Sequence, residues 1–376
     1  MRSLACFNKG IPLVTTAPVS FSDRVSPLPA DYPEVSPSAV IESKPSPATT
    51  LTTSGTDAVV PLIALELSPE MTEVHDADLR AGRATFGTRA ACIAVIVLPV
   101  LGLLAAIALL WGPGVQPVHL WLMVGGYVFT GLGITVGYHR LFTHKSFKTN
   151  RFMTAFWAIL GSSALEGPVL RWVGMHRLHH QHSDHDLDPH SPHLHEGKTM
   201  VDMLKGVWHS HMGWIMFACP VDLNKYTPDL RKDKMLLFID RTFGWWVLLG
   251  LIIPGIIAYA VTGTLVGGLL GVLWGGFARI FIVHHITWSI NSACHLWGKQ
   301  HFRSHDESRN NALFGVLGLG EGWHNNHHAF PASARHGLRW YQFDLSWMVI
   351  KGMSLIGLAH DLNVPSKERQ AAKAVA

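Results

Sequence analysis

Residues 119–144 read HLWLMVGGYVFTGLGITVGYHRLFTH. From His119 to Tyr138 there is no Asp, Glu, Lys or Arg, and the run ends on two histidines, His139 and His144. A helix of about 20 apolar residues crosses a bilayer, so this stretch sets an imidazole pair where a membrane span emerges. The pattern recurs. His176-xx-His179-His180 and His324-xx-His327-His328 also stand near long uncharged segments. Eight imidazoles beside apolar spans predict a metal centre at a membrane surface, acting on something greasy.

Working outward, three more spans are expected. Between Arg89 and His139 no acidic or basic residue occurs, and Ala91 to Trp111 is long enough for a first span, with Gly112-Pro113-Gly114 as the turn into the second. Thr242 to Ala278 is equally uncharged: Phe243 to Val261 reads as a third span, Thr262-Gly263-Thr264 as a turn, and Leu265 to Val283 as a fourth. Arg279 falls in the last turns of the fourth, where snorkelling to the headgroups would mark the exit. Phe152 to Leu165 is apolar but short, which predicts an interfacial or re-entrant segment. Basic residues flank the hairpins (Arg80, Arg83, Arg89; Arg140, Lys145, Lys148, Arg151; Arg231, Lys232, Lys234, Arg241; Lys299, Arg303), and neither turn carries one. The positive-inside asymmetry puts both termini and all three histidine groups in the cytoplasm. The expected fold is an all-α membrane protein, with four transmembrane helices in two hairpins and a cytosolic helical cap holding a histidine-rich dimetal site.

Composition agrees. The chain of 376 residues is 48% hydrophobic and 15% charged, with 14 Trp suited to interfacial belts. A net charge of +4 does not suggest nucleic acid. The four cysteines, Cys6, Cys92, Cys219 and Cys294, form no C-x-x-C, which argues against a zinc ribbon, an iron–sulfur cluster or a disulfide framework. Ten of the 21 prolines precede residue 70, amid Ser, Thr, Ala and Val. Residues 1–80 are therefore expected to be a disordered tail, 81–362 the membrane domain and 363–376 a short polar tail.

On a helix, positions i, i+3 and i+4 share a face, so His176, His179 and His180 can converge, as can His324, His327 and His328. His139 and His144, five apart, fit a straight helix less well. Continuing the fourth span puts His284, Trp288, Asn291 and His295 on one stripe. His295 is then a ninth candidate ligand, and Asn291 a residue able to hold a metal-bound water. Imidazole suits iron, zinc, copper and nickel alike; the number of ligands suits two ions.

His139-Arg-Leu-Phe-Thr-His144, His176-Arg-Leu-His-His180, Asn291-Ser-Ala-Cys-His295 and Glu321-Gly-Trp-His-Asn-Asn-His-His328 resemble the signatures of membrane acyl-CoA Δ9 desaturases, nearest to their bacterial branch. Gly133-Ile-Thr-Val-Gly137, Asp188-Pro-His190 and Thr287-Trp288 are similar too, and the likeness runs from about residue 90 to about 360. It implies two iron ions, O2 as co-substrate, and insertion of a cis double bond at about C9 of a C16–C18 acyl thioester. An unactivated methylene offers neither acidic proton nor electrophilic carbon, so a redox metal is needed. The ligands implied are His139, His144, His176, His179, His180, His295, His324, His327 and His328, with Asn291 acting through water. The resemblance also implies a tunnel ending near Tyr127 and Gly131, where Gly131 reads equally as a helix-packing residue. Trp288 would line the tunnel's bend or anchor the interface, and Asp188 and Glu321 would orient imidazoles, as carboxylates commonly do. His182, His185, His190, His193, His195, His209, His211, His284 and His285 are expected to stay outside the ligand set.

Two positions depart from that pattern. Met175 stands where the family usually has Asp, and Gly174 where animal relatives often carry Arg. Acyl-lipid and carrier-protein substrates therefore stay open beside acyl-CoA. The chain has no haem signature or iron–sulfur spacing, so a ferredoxin, rubredoxin or cytochrome b5-type donor with its reductase would supply electrons. The basic residues Arg231, Lys232 and Lys234 could attract it. A bacterial inner membrane fits the resemblance, and endoplasmic reticulum would fit a eukaryotic host. A membrane di-iron hydroxylase is the nearest alternative activity, and a histidine-rich metal transporter a distant one.

Overall fold

The structure is a computed structural model and describes residues 86–109, 114–185, 187–194, 199–216 and 221–375. The expected tail 1–80, Gly112-Pro113, His195 and Cys219 lie outside these residues. Besides the short turns Trp214–Met216, Leu223–Tyr226 and Leu230–Lys232, twelve helices organise the described residues. They are α1 (Phe86–Ala108), α2 (Pro117–Leu132, continued by a π-helix Gly133–Thr143), α3 (Arg151–Ser162), α4 (Val169–His182), α5 (Met200–Trp208, continued by π-helix His209–Gly213) and α6 (Lys234–Arg241). There follow α7 (Phe243–Thr262), α8 (Leu265–Leu296, with a π segment Val272–Ala278), α9 (Ala312–Leu317), α10 (His324–Ala329), α11 (Leu345–Leu355) and α12 (Lys367–Lys373). A two-residue ladder pairs β1 (Lys148–Thr149) antiparallel with β2 (Ala359–His360).

Among the described residues, four helices are long and apolar enough to cross a membrane: α1, α2, α7 and α8. The chain is a membrane protein. The expected spans are found, with corrected ends: α1 starts at Phe86, and α2 and α8 run on to Thr143 and Leu296. Those extensions carry His139 and His295 as continuous rigid rods from span to metal centre. At the second hairpin Gly263 adopts φ 67°, the left-handed conformation a helix-ending glycine supplies without a Cβ clash. Thr264 then caps α8, its hydroxyl accepting from Gly267 N–H at 3.0 Å. A Cβ on Gly271 would lie 2.5 Å from that of Ala258, so these small residues let α7 and α8 touch closely. Leu101 and Leu104 of α1 and Ile253 and Ile256 of α7 point outward, as lipid-facing residues do.

Arg279 does not snorkel. It is 1% exposed in the middle of α8, and its guanidinium donates to Gly275 O (3.0 Å), Ser163 O (2.8 Å) and Gly250 O (3.0 Å). Carbonyls from three helical segments solvate it, so it ties the bundle together instead of marking its edge. Arg140, counted above among the topogenic charges, is likewise fully buried. The apolar segment after Asn150 forms α3 and packs along the π stretch of α2. A Cβ on Gly133 would meet Gly161 N at 2.4 Å, which leaves room for glycine alone.

Candidate metal centre

The histidine boxes meet in one buried cap. His139, His144, His176, His180 and His327 form one group, and His179, His295, His324 and His328 a second. Within each, the potential ligand atoms all lie within 4.8 Å of one another. All nine expected histidines fall in these two groups, five and four. The division follows from helix geometry. In each HxxHH box, i and i+4 lie on one line and i+3 about 100° away from i+4. On α4, His176 and His180 serve the first group and His179 the second. On α10 the roles reverse: His324 and His328 serve the second group and His327 the first. The awkward five-residue spacing of His139 and His144 is resolved by the π-helix, whose i→i+5 bond (His144 N–H to His139 O, 3.1 Å) stacks the two positions. Their ring centroids are 4.8 Å apart.

Four imidazoles are oriented by buried carboxylates. His139 Nδ1–H donates to Glu321 (2.6 Å), His179 to Asp188 (3.0 Å), His295 to Asp184 (2.9 Å) and His328 to Asp306. Each donation places the proton on Nδ1 and leaves an Nε2 lone pair facing inward. Asp188 and Glu321 were legible; Asp184 and Asp306 were not, since neither belongs to a box. Glu321 is itself paired with Arg140, whose other side reaches Asp344 at 3.2 Å. Desolvation pushes the Glu321 carboxyl up, but the charge of Arg140 and the hydrogen bond from His139 overcome it and hold it well below the usual range. In Asp188, desolvation is likewise outweighed by His179, and in Asp306 by His328. Burial, followed by neighbouring imidazoles, holds His144, His176, His180, His324 and His327 well below 6.5, hence neutral at pH 7.

The inward nitrogens fit metal ions. Nε2 atoms face one another at 3.0 Å (His139–His327), 2.8 Å (His327–His180), 3.1 Å (His180–His176) and 3.0 Å (His295–His324). Two nitrogens bound at about 2.1 Å and at right angles would be about 3 Å apart. His144, His179 and His328 keep a buried Nε2 without a hydrogen-bond partner, an arrangement costly without a cation to accept the lone pair.

An apolar cavity leads from both groups. His139, His176, His324 and Asn291 line one end, and Tyr127 and Gly131 lie farther along α2. Tyr127 is twelve residues before His139, about 18 Å along a helix. Trp288 is not among the lining residues. It stacks on His284 (4.9 Å between centroids), and the indole lining the cavity is Trp172. Of the other histidines, His190 packs on His179 at 4.3 Å and His193 Nε2 approaches His295 O at 3.0 Å. His211 pairs with His285 at 3.0 Å, away from both groups. His336, not anticipated, is fully buried beside His327 and Glu321. Met175 is buried and Gly174 packs against Leu223 and Val221, so no charged side chain stands at either place.

Comparison with known proteins agrees with this geometry. The family profile described as fatty acid desaturase matches residues 113–353. A hex-5-enoyl-[acyl-carrier protein] acetylenase of Moorena producens is 41% identical over 281 residues, 74% of this chain and 88% of that protein. An sn-1 stearoyl-lipid 9-desaturase of Synechocystis is 43% identical over 251 residues, 66% of this chain and 73% of that protein. A chloroplastic palmitoyl-monogalactosyldiacylglycerol delta-7 desaturase of Arabidopsis thaliana is 42% identical over 251 residues, 65% and 62% of the two chains. With its histidine-rich cap, its four spans and these relatives, the chain belongs to the fatty acid desaturase family.

Proposed function

We propose that the protein inserts a cis double bond at about C9 of a saturated C16–C18 acyl chain carried on a membrane lipid, using two iron ions and O2. The carrying observation is an apolar cavity lined at one end by histidines of both groups. Three buried carboxylates (Asp184, Asp188, Asp306) would offset much of the charge of two divalent ions, while Arg140 is paired with both Glu321 and Asp344. The nine histidines and Asn291 would hold the irons, which supply the oxidising chemistry when bound. This chain's own residues keep the imidazoles neutral, fix their tautomers and hold the acyl chain in a dry channel. Per turnover the acyl chain loses two hydrogens, and O2 takes two further electrons and two protons to give two waters.

A lipid carrier is favoured over the acyl-CoA expected at first. Two of the relatives quoted above are named for lipid substrates, and α4 offers no charged residue at 174 or 175 to grip a nucleotide headgroup. Electrons would come from a separate ferredoxin, rubredoxin or cytochrome b5-type protein docking near the exposed Arg231, Lys232 and Lys234. The metal centre would face the cytoplasm of a bacterial inner membrane. The test is fatty-acid analysis of cells expressing the chain with a compatible donor, resolved by lipid class and thioester pool, with double bonds located by mass spectrometry. New cis-9 monoenes in lipids, absent from a His179→Ala, His180→Ala variant, support the proposal. Monoenes confined to thioesters sink the lipid carrier, and hydroxylated chains move the activity to the sister chemistry.

A further inference from the structure

Residues 310–320, NNALFGVLGLG, contain no charge but are too few to span a bilayer. They leave the cap and reach deep beside α2: the Leu317 carbonyl accepts a hydrogen bond from the Tyr127 hydroxyl, sixteen residues before the end of α2 at Thr143. A Cβ on Gly131 would meet Leu319 Cδ1 at 3.0 Å. A segment that enters a membrane without crossing it is tolerated only where its backbone polar groups are satisfied, and here the short helix α9 and the turns on either side of it bond their own groups. Asn311 N–H to Gly322 O (2.8 Å) closes the neck, and Gly315, Gly318 and Gly320 donate to carbonyls within the loop. Leu319 O accepts from Ser346 N–H (3.0 Å) and hydroxyl (2.9 Å). Gly320, at φ 116°, turns the chain back. The loop has two apolar faces: Gly318 and Leu319 line the cavity, whereas Leu313, Val316 and Leu317 are exposed by 61%, 53% and 40%.

We propose that residues 311–322 are a re-entrant loop whose outer face touches bilayer lipid, and that the seam it makes with α2 is the side opening through which a lipid's acyl chain enters the cavity. The occupant of this apolar face is lipid because its exposed residues are all aliphatic and lie at the depth of Tyr127, inside a helix long and apolar enough to span a membrane. The entry role rests on the lipid-carrier reading; the membrane placement does not. The Tyr127–Leu317 hydrogen bond is then the latch of the seam.

Two measurements test this. A nitroxide on Val316→Cys, in nanodiscs of stearoyl-containing phospholipid, should collide with oxygen far more than with a water-soluble nickel chelate, as a label on Ile256→Cys does and one on Lys367→Cys does not. Chelate access at Val316 equal to that at Lys367 overturns the loop's placement. Tyr127→Phe keeps the ring and removes the latch. It should raise kcat/KM for a bilayer stearoyl lipid at least threefold, with double-bond position unchanged. An unchanged kcat/KM, or a shift in regiochemistry instead, overturns the entry role. If the unaltered protein desaturates thioesters but not lipids, the substrate reading has failed, and the label still reports on the loop.

Discussion

The two histidine groups are built from the same boxes yet differ in support. The first has five imidazoles and one orienting carboxylate, Glu321 on His139; the second has four imidazoles, three of them oriented, by Asp188, Asp184 and Asp306. A carboxylate behind an imidazole raises its basicity and fixes its ring. On the proposed reading, the first group would gain metal affinity from ligand number and the second from ligand quality. Glu321 differs in another respect, since it also neutralises the buried Arg140.

That contrast can be broken at several points. The largest effect is expected from His179→Ala with His180→Ala, which removes one ligand from each group. Bound metal per chain and product formation should both fall to background. Glu321→Gln should act mainly on the fold, because it strips a partner from a buried arginine. Loss of one partner of a buried pair costs about 3–5 kcal/mol, with Asp344 retaining part of it, and a lowered thermal midpoint in nanodiscs would show it. Asp306→Asn, Asp188→Asn and Asp184→Asn should leave the midpoint nearer that of the parent while weakening one ion by about 10–100-fold, read by metal competition. If those three behave like Glu321→Gln, the contrast between the groups is wrong.

Away from the metals, Gly131→Leu should shorten the preferred chain, changing the C16 to C18 ratio about tenfold or more with metal content intact. Trp288→Phe is expected to do least. Its ring packs on His284 outside the cavity lining, so double-bond position should not move.

The spans and the six histidines of the two HxxHH boxes could be read from sequence because each rests on a local rule, either a charge-free run of about 20 residues or an i, i+3, i+4 spacing. What escaped depends on the tertiary fold or on departures from the regular helix. His139 and His144 looked mismatched because a straight α-helix was assumed, and nothing local announces a π turn. Asp184, Asp306 and His336 join the site through loops whose positions only the fold decides. Arg279 looked like a boundary marker because sequence shows its place on the helix but not the carbonyls around it. The loop at 311–322 left a legible sign, an uncharged run, but it is shorter than a span and its turn-back lies in a glycine.

The most direct test of the central claim is anomalous diffraction at the iron edge from the iron-loaded protein. The account predicts two peaks, one among His139, His144, His176, His180 and His327, the other among His179, His295, His324 and His328. A single peak, or a site shared across both groups, would contradict the division into five and four.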